Sequence, residues 1–271
     1  MRTIVMLLII PPVAFAGFER TMIGARASGM GSAFVALSND GWGLFYNPAG
    51  LATINRYEAS IYYSPSAFGL SELSLSAAIA VLPTSIGSFG IGLRRYGFEL
   101  YREMSGTLSY SNILSDLMLG VNLNYHSVSI VNYGSAGTIG IDVGAKMKLL
   151  EDIDWGISIK NGNAPTIGSA KEELPQVFST GIAYFPIVNL TLAADYRKEV
   201  KRDGSLRFGT EYRIIDEVAL RAGTSRKPIE YYSGLGVRYS VFQFDYAYEG
   251  HQELGGTHHL GLTIRWGRKN E

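Results

Sequence analysis

Few residues in this sequence have a type and spacing that could do chemistry. His258 and His259 are adjacent, and on an extended segment their rings point to opposite faces, so they cannot share a metal. His126 and His251 lie elsewhere without ligand spacing. Asp195 and Glu211 are carboxylates that general acid–base work could use. The many arginines beside them make salt-bridged walls the stronger reading. Gly29-Met30-Gly31 follows no strand and lacks the third glycine of a dinucleotide fingerprint. No Gly-x-Ser-x-Gly elbow is present, and Cys is absent, so there is no thiol nucleophile, thiolate site or disulfide. The expectation is no catalytic residue, no metal, no cofactor and no enzyme. What remains is NDGWGLFYNPAGLA (39–52), an apolar, turn-rich stretch that cannot form a strand of its own.

The elements that must house this stretch are legible along the chain. The 24 basic residues balance the 24 acidic ones, which gives no basic field for nucleic acid. Arg2, the apolar run 4–10 and the small-x-small triplet Ala14-Phe15-Ala16 read as a secretory signal peptide over residues 1–16. No later run approaches the length of a transmembrane helix.

From Tyr57 onward apolar and polar residues alternate at period two, which predicts strands. Val188, Leu190, Leu192, Ala194 and Tyr196 share one face, and Asn189, Thr191, Asp195 and Arg197 share the other. Fourteen such segments are expected, near 56–64, 71–82, 85–96, 101–111, 116–129, 137–149, 152–160, 176–185, 188–198, 204–214, 216–225, 229–239, 241–249 and 256–266. Tight connections are expected at Pro83-Thr84, Leu150-Glu151, Pro186-Ile187, Ile215 and Ser240, alternating with longer polar ones such as 161–174. Aromatics collect at strand ends: Tyr110, Trp155, Tyr184, Tyr212, Phe242 and Trp266 at the short-turn end, and Tyr63, Tyr101, Tyr125, Tyr196, Tyr231 and Tyr248 at the loop end. Alternating turn length and two aromatic girdles point to an all-β, 14-stranded antiparallel transmembrane β-barrel over residues 56–271 rather than a soluble sandwich. The apolar phase must then face lipid. An arginine on that phase near the membrane midplane would cost on the order of 2–4 kcal/mol.

Residues 17–55 are too apolar to hang in water, with Met30, Phe34, Trp42, Leu44, Phe45 and Leu51 among them. Glycines such as Gly90, Gly92, Gly120, Gly144, Gly156, Gly209 and Gly223 fall on the inward phase, where a missing side chain lets another segment approach. Together these predict an N-terminal plug inside the lumen.

The stretch GARASGMGSAFVALSNDGWGLFYNPAGLA (24–52) resembles the N-terminal hatch signature of the FadL outer-membrane transporter superfamily, closer to its compact PorV/PorQ-type branch. Asp40 matches the acid, and Asn47, Pro48, Ala49 and Gly50 match the turn. The resemblance implies a hatch-closed barrel, a monomer in the outer membrane of a diderm bacterium, surrounded by lipid. Transporter members of that superfamily pass apolar ligands through the hatch and a side opening; PorV-type members serve type IX secretion. Two functions follow. In the first, small hydrophobic molecules are bound or passed. Asn47-Pro48 is then the movable turn, Met30, Phe34, Trp42 and Phe45 line an apolar pocket, and Gly87, Gly90 and Gly92 form a kinked wall opening. In the alternative, a non-transporting accessory barrel docks secretion-system or envelope proteins. The short loops, with Ile167 as the apolar anchor of the longest, favour the alternative.

Overall fold

The computed structural model describes residues 17–18 and 22–267. The expected signal peptide, 1–16, lies outside the described residues. A short helix α1 (Ala25–Gly29) and two 3-10 turns (Gly41–Phe45 and Pro48–Thr53) precede the strands. The strands are β1 (Tyr57–Ser64), β2 (Leu75–Thr84), β3 (Gly87–Gly97), β4 (Tyr101–Leu114), β5 (Leu117–Ile130), β6 (Gly134–Leu150) and β7 (Ile153–Lys160), then a two-residue ladder of β8 (Thr166–Ile167) with β9 (Glu172–Glu173). They continue as β10 (Val177–Ile187), β11 (Leu190–Glu199), β12 (Ser205–Ile215), β13 (Val218–Arg226), β14 (Glu230–Tyr239), β15 (Phe242–His251) and β16 (Gly255–Trp266).

β1–β7 and β10–β16 form one closed antiparallel ring of fourteen strands. Each pairs with its neighbour along the chain, and β1 closes the ring on β16 with Tyr57 opposite Trp266. Closure satisfies every ladder edge, which a hydrocarbon surround demands. Four of the tight turns fall one or two residues later than the sequence suggests, at Ser85-Ile86, Glu151-Asp152, Val188-Asn189 and Asp216-Glu217; Ser240-Val241 begins where expected, and a further turn lies at Ser115-Asp116. The strands run on into the expected turns because Pro83 and Pro186 are tolerated at strand ends, and bulges beside Lys148, Tyr184 and Arg213 absorb the extra residues.

The alternation resolves into two surfaces. Leu93 and Leu108 are each 58% exposed on the outer wall, while Asn122 and Asp195 are 1% and 3% exposed on the inner one. Eleven of the twelve girdle aromatics lie on the outward phase. Tyr101 is a correction: it shares the inward phase of Glu103 and donates its hydroxyl to that carboxylate at 3.0 Å.

Inside the ring, the described part of the N-terminal segment packs against the wall all round. Two apolar clusters hold it. Ile23, Trp42, Leu44, Leu51 and Ile54 meet Tyr62 and the inward residues Leu75, Ala77, Ile79 and Val81 of β1 and β2. Met30, Phe34, Ala36, Leu37 and Tyr46 meet Ala183 and Ala193 of β10 and β11. Burying each of the larger side chains stabilises by roughly 1.5–3 kcal/mol. Wall glycines let the segment's backbone come close. A Cβ at Gly120 would strike Pro48 and Ala49, one at Gly144 Asn47, one at Gly156 Val35, and one at Gly209 Met30.

Candidate functional site

The segment is mostly turns, so its backbone leaves many donors and acceptors without intrahelical partners. The inner wall supplies them. Asp195 accepts from the Phe34 and Val35 amides at 2.7 and 2.9 Å. Lys146 donates to the Leu37 carbonyl at 2.9 Å and pairs with Asp154 at 3.1 Å. Asn122 donates to the Leu44 carbonyl at 2.9 Å. The expectation of salt-bridged walls therefore needs correcting at Asp195, whose carboxylate is spent on backbone amides instead.

Asp40 and Asn47 are caps. Asp40 accepts from the Trp42 amide at 3.0 Å, and Asn47 accepts from the Ala49 amide at 3.1 Å with Pro48 at the first position of its turn. Asn47 also donates to the carbonyls of Val35 and of Ala145 on β6, both at 3.0 Å. Asn47-Pro48 is thus pinned to the wall in this conformation, not loose. Gly50 sits where a Cβ would run into the Ser38 carbonyl, which fixes glycine at that position.

An ionic network ties the segment to the short-turn half of the wall. Arg26 forks onto Glu211, with both nitrogen–oxygen distances 2.8 Å, and reaches Asp40 at 2.9 Å. Burial alone would disfavour the Arg26 charge; Glu211 and Asp40 override it and hold its pKa well above the ordinary value. Glu211 continues to Arg221 at 2.6 Å, and Arg221 to Asp245 at 2.7 Å. Gln243 links Asp245 to Arg265, and Arg265 pairs at 2.7 Å with Glu58, which accepts the Gly41 amide. Buried charges survive only when paired and hydrogen-bonded in this way.

The loop half holds a chamber of about 70 Å³. Phe18, Ile23, Phe45, Pro175 and Val177 give it apolar surface; Ser105, Thr107, Asn124, His126, Arg94, Asp142, Asn161 and Lys160 give it polar surface. The loop 161–176 folds over it. Asn161 donates from its backbone to Asp142 at 2.9 Å and from its side chain to the Pro175 carbonyl at 2.9 Å. Ile167 and Leu174 of that loop pack on Phe18. The Phe18 ring lies 4.9 Å from that of His126, and its amide donates to Glu103 at 2.9 Å.

Of the four expected pocket residues, Phe45 alone lines this chamber. Trp42 stacks on Phe45 at 6.3 Å and meets Tyr62 edge-on at 5.9 Å inside the first apolar cluster. Met30 and Phe34 are sealed in the second cluster, with Phe34 against Tyr46 at 5.3 Å. The expected wall opening is not formed here. β3 pairs without a gap with β2 from Gly87 to Tyr96 and with β4 from Ser88 to Gly97. Gly90 and Gly92 instead admit Leu44, Leu51 and Phe45, and Gly87 takes a positive φ at the turn. Sequence reasoning missed Phe18, Ile23 and the polar chamber wall. Their signal is weak: the inward phase of β4 and β5 carries Ser105, Thr107, Asn124 and His126, small or neutral groups where neighbouring strands carry charge.

No protein-family model matches the chain, and a search of curated proteins finds no match. Solved structures share its fold. The toluene transporter TbuX of Ralstonia pickettii superposes with a TM-score of 0.67 at 13% identity, over 94% of this chain and 100% of that one. The toluene transporter TodX of Pseudomonas putida gives 0.64 at 12%, over 89% and 96%. A FadL homologue of Pseudomonas aeruginosa gives 0.62 at 15%, over 91% and 99%. At such identities the likeness establishes the fold, a FadL-type 14-strand barrel.

Proposed function

We propose that this protein is an outer-membrane barrel that binds or passes small hydrophobic molecules, with residues 17–55 as its hatch and 1–16 as a signal peptide. The supporting observation is the chamber of Phe18, Ile23, Phe45 and Val177 at the loop mouth, beneath the folded loop and above the pinned Asn47 turn. Two of the proteins that share the fold are described as toluene transporters. The chamber is about half the volume of the ~150 Å³ apolar cavity known to hold benzene. A ligand therefore needs the Phe18 ring to withdraw, which would give up its amide bond to Glu103 and its ring contact with His126. Deeper passage requires the Asn47 turn to leave Val35 and Ala145, which places Asn47, Pro48 and Gly50 at the second barrier. Met30, Phe34, Trp42 and Asp40 hold the closed state; Gly87, Gly90 and Gly92 would line a side exit once Leu44 and Leu51 retract.

The test is uptake of radiolabelled toluene by vesicles holding the purified barrel. Phe18→Ala should raise the rate and Phe45→Trp, which fills the chamber, should lower it. Equal rates for both and for empty vesicles would overturn the reading.

A second reading, a non-transporting accessory barrel in a secretion or envelope assembly, draws on the dense ionic packing of the short-turn half and on the short loops. It expects no ligand in the chamber and a protein bound at the loops.

A further inference from the structure

The lipid-facing phase of the barrel carries charge of one sign, at one end. Among the described residues, the outward strand positions hold Arg95, Arg102, Lys198 and Arg226 as their formal charges, and no Asp or Glu. All four lie at loop ends: Arg95 and Arg102 flank the turn 98–100, and Lys198 and Arg226 close β11 and β13. At the membrane midplane a guanidinium is costly; at headgroup depth it is not.

Arg95 and Arg102 are the closest of these on the sheet. Arg95 stands opposite Met104 and Arg102 opposite Gly97, which makes the two arginines diagonal neighbours on the outer face. Both are exposed, and neither forms an ion pair among the described residues. Ser76 is opposite Arg95 and Ser129 opposite Arg102, so hydroxyls border the pair. One step toward the membrane centre, the outward Gly106 leaves a furrow. A Cβ there would meet only Leu93, at 3.9 Å. Leu93 and Tyr125 flank Gly106 on the neighbouring strands, and Met104 and Leu108 on its own. A forked cation above an apolar slot is complementary to a molecule with an anionic phosphate head and an acyl tail.

We propose that this patch binds the phosphate of an outer-leaflet lipid, held between Arg95 and Arg102, with an acyl chain in the Gly106 furrow. The outward face at the short-turn end carries no charge among the described residues, so the site belongs to one leaflet. The proposal rests on the outer-membrane placement above and not on what passes through the lumen.

The test titrates the purified full-length barrel, in a neutral maltoside detergent, with a diphosphorylated acylated glucosamine disaccharide. The dephosphorylated lipid and inorganic phosphate serve as separate arms, and bound species are counted by native mass spectrometry. Retention of the phosphorylated lipid is expected. It should weaken about ten-fold or more in the Arg95→Gln, Arg102→Gln double variant and equally when the phosphates are removed. Gly106→Leu should weaken it with both charges intact, and Arg226→Gln, one charge removed elsewhere on the rim, should leave it within about two-fold. Equal binding of the dephosphorylated lipid, full affinity in the double variant, or inorganic phosphate binding as tightly as the lipid would overturn the proposal. A barrel that does not insert into vesicles would instead overturn the membrane placement on which it rests.

Discussion

At the short-turn end of the lumen, Arg26 sits in a fork of Glu211 with Asp40 at its other edge, and the chain of pairs runs on through Arg221, Asp245, Gln243 and Arg265 to Glu58. At the loop end, Phe18 is held by one backbone hydrogen bond to Glu103, by ring contacts with His126 and Arg94, and by packing on Ile167 and Leu174. The first arrangement is cooperative, because removing a charged member takes a partner from at least one other buried charge. The second is a set of independent weak contacts beside the chamber. The same N-terminal segment is thus anchored at one end and only lodged at the other, and movement should begin at Phe18.

The largest test of this contrast is to remove the segment altogether. Deletion of 17–55 is expected to leave a foldable barrel with a conducting pore, and single-channel recording that shows no rise in conductance would show that the segment does not close it. Next is the anchor. Glu211→Ala leaves Arg26 with Asp40 alone and Arg221 with Asp245 alone, and should cost about 3–5 kcal/mol in denaturant unfolding. A loss near 1 kcal/mol would mean that the network is not cooperative. Asn47→Ala removes a cap and two donated bonds and should cost about 2 kcal/mol, with hydrogen exchange rising at the Ala49 amide first. Phe18→Ala should change global stability by no more than about 1 kcal/mol, since the lodged end opens locally before the barrel unfolds. An equal loss from Phe18→Ala and Glu211→Ala would erase the contrast between the two ends. The smallest effect lies outside the membrane, at the Asp203–Lys227 pair of 3.0 Å. The hydrogen bond and charge of Lys227 hold the Asp203 carboxyl below its ordinary value. Any stability it lends is present above the ordinary aspartate pKa and is lost as pH falls through the depressed one. Lys227→Met should return the Asp203 titration, followed by carbon NMR, to the ordinary range while the unfolding midpoint stays put.

The barrel was legible because period-two alternation survives in most wall strands. Leu206, Phe208 and Tyr212 face out and Arg207 and Glu211 face in, as the sequence alone requires. Most of the turns lie one or two residues beyond the expected positions because ladder pairing, not composition, decides where a strand stops. β2 marks a subtler limit. Leu75, Ala77, Ile79 and Val81 face the interior although they are apolar, because the N-terminal segment covers them. A chain read in isolation gives no reason to expect a dry patch on an inner wall.

The site was less legible than the fold. Asn47 and Asp40 were found through a motif, and their capping roles follow from residue type. That Asn47 also binds the Ala145 carbonyl, 98 positions away, could not be read from either neighbourhood. Trp42, Met30 and Phe34 were apolar enough to line a pocket and equally apolar enough to fill one.

The sequence by itself determined that there is a large β-barrel, which phase of each strand faces outward, and that an apolar segment must find shelter from water. Those follow from local periodicity and from the cost of exposing apolar surface, both of which are properties of short stretches. The tertiary structure decided where the segment is anchored, which aromatics are packed and which border a chamber, and whether the wall is open at Gly90. Those depend on which side chains meet across the lumen, and hydrogen-bond partners and cavities exist only once distant strands have closed the ring.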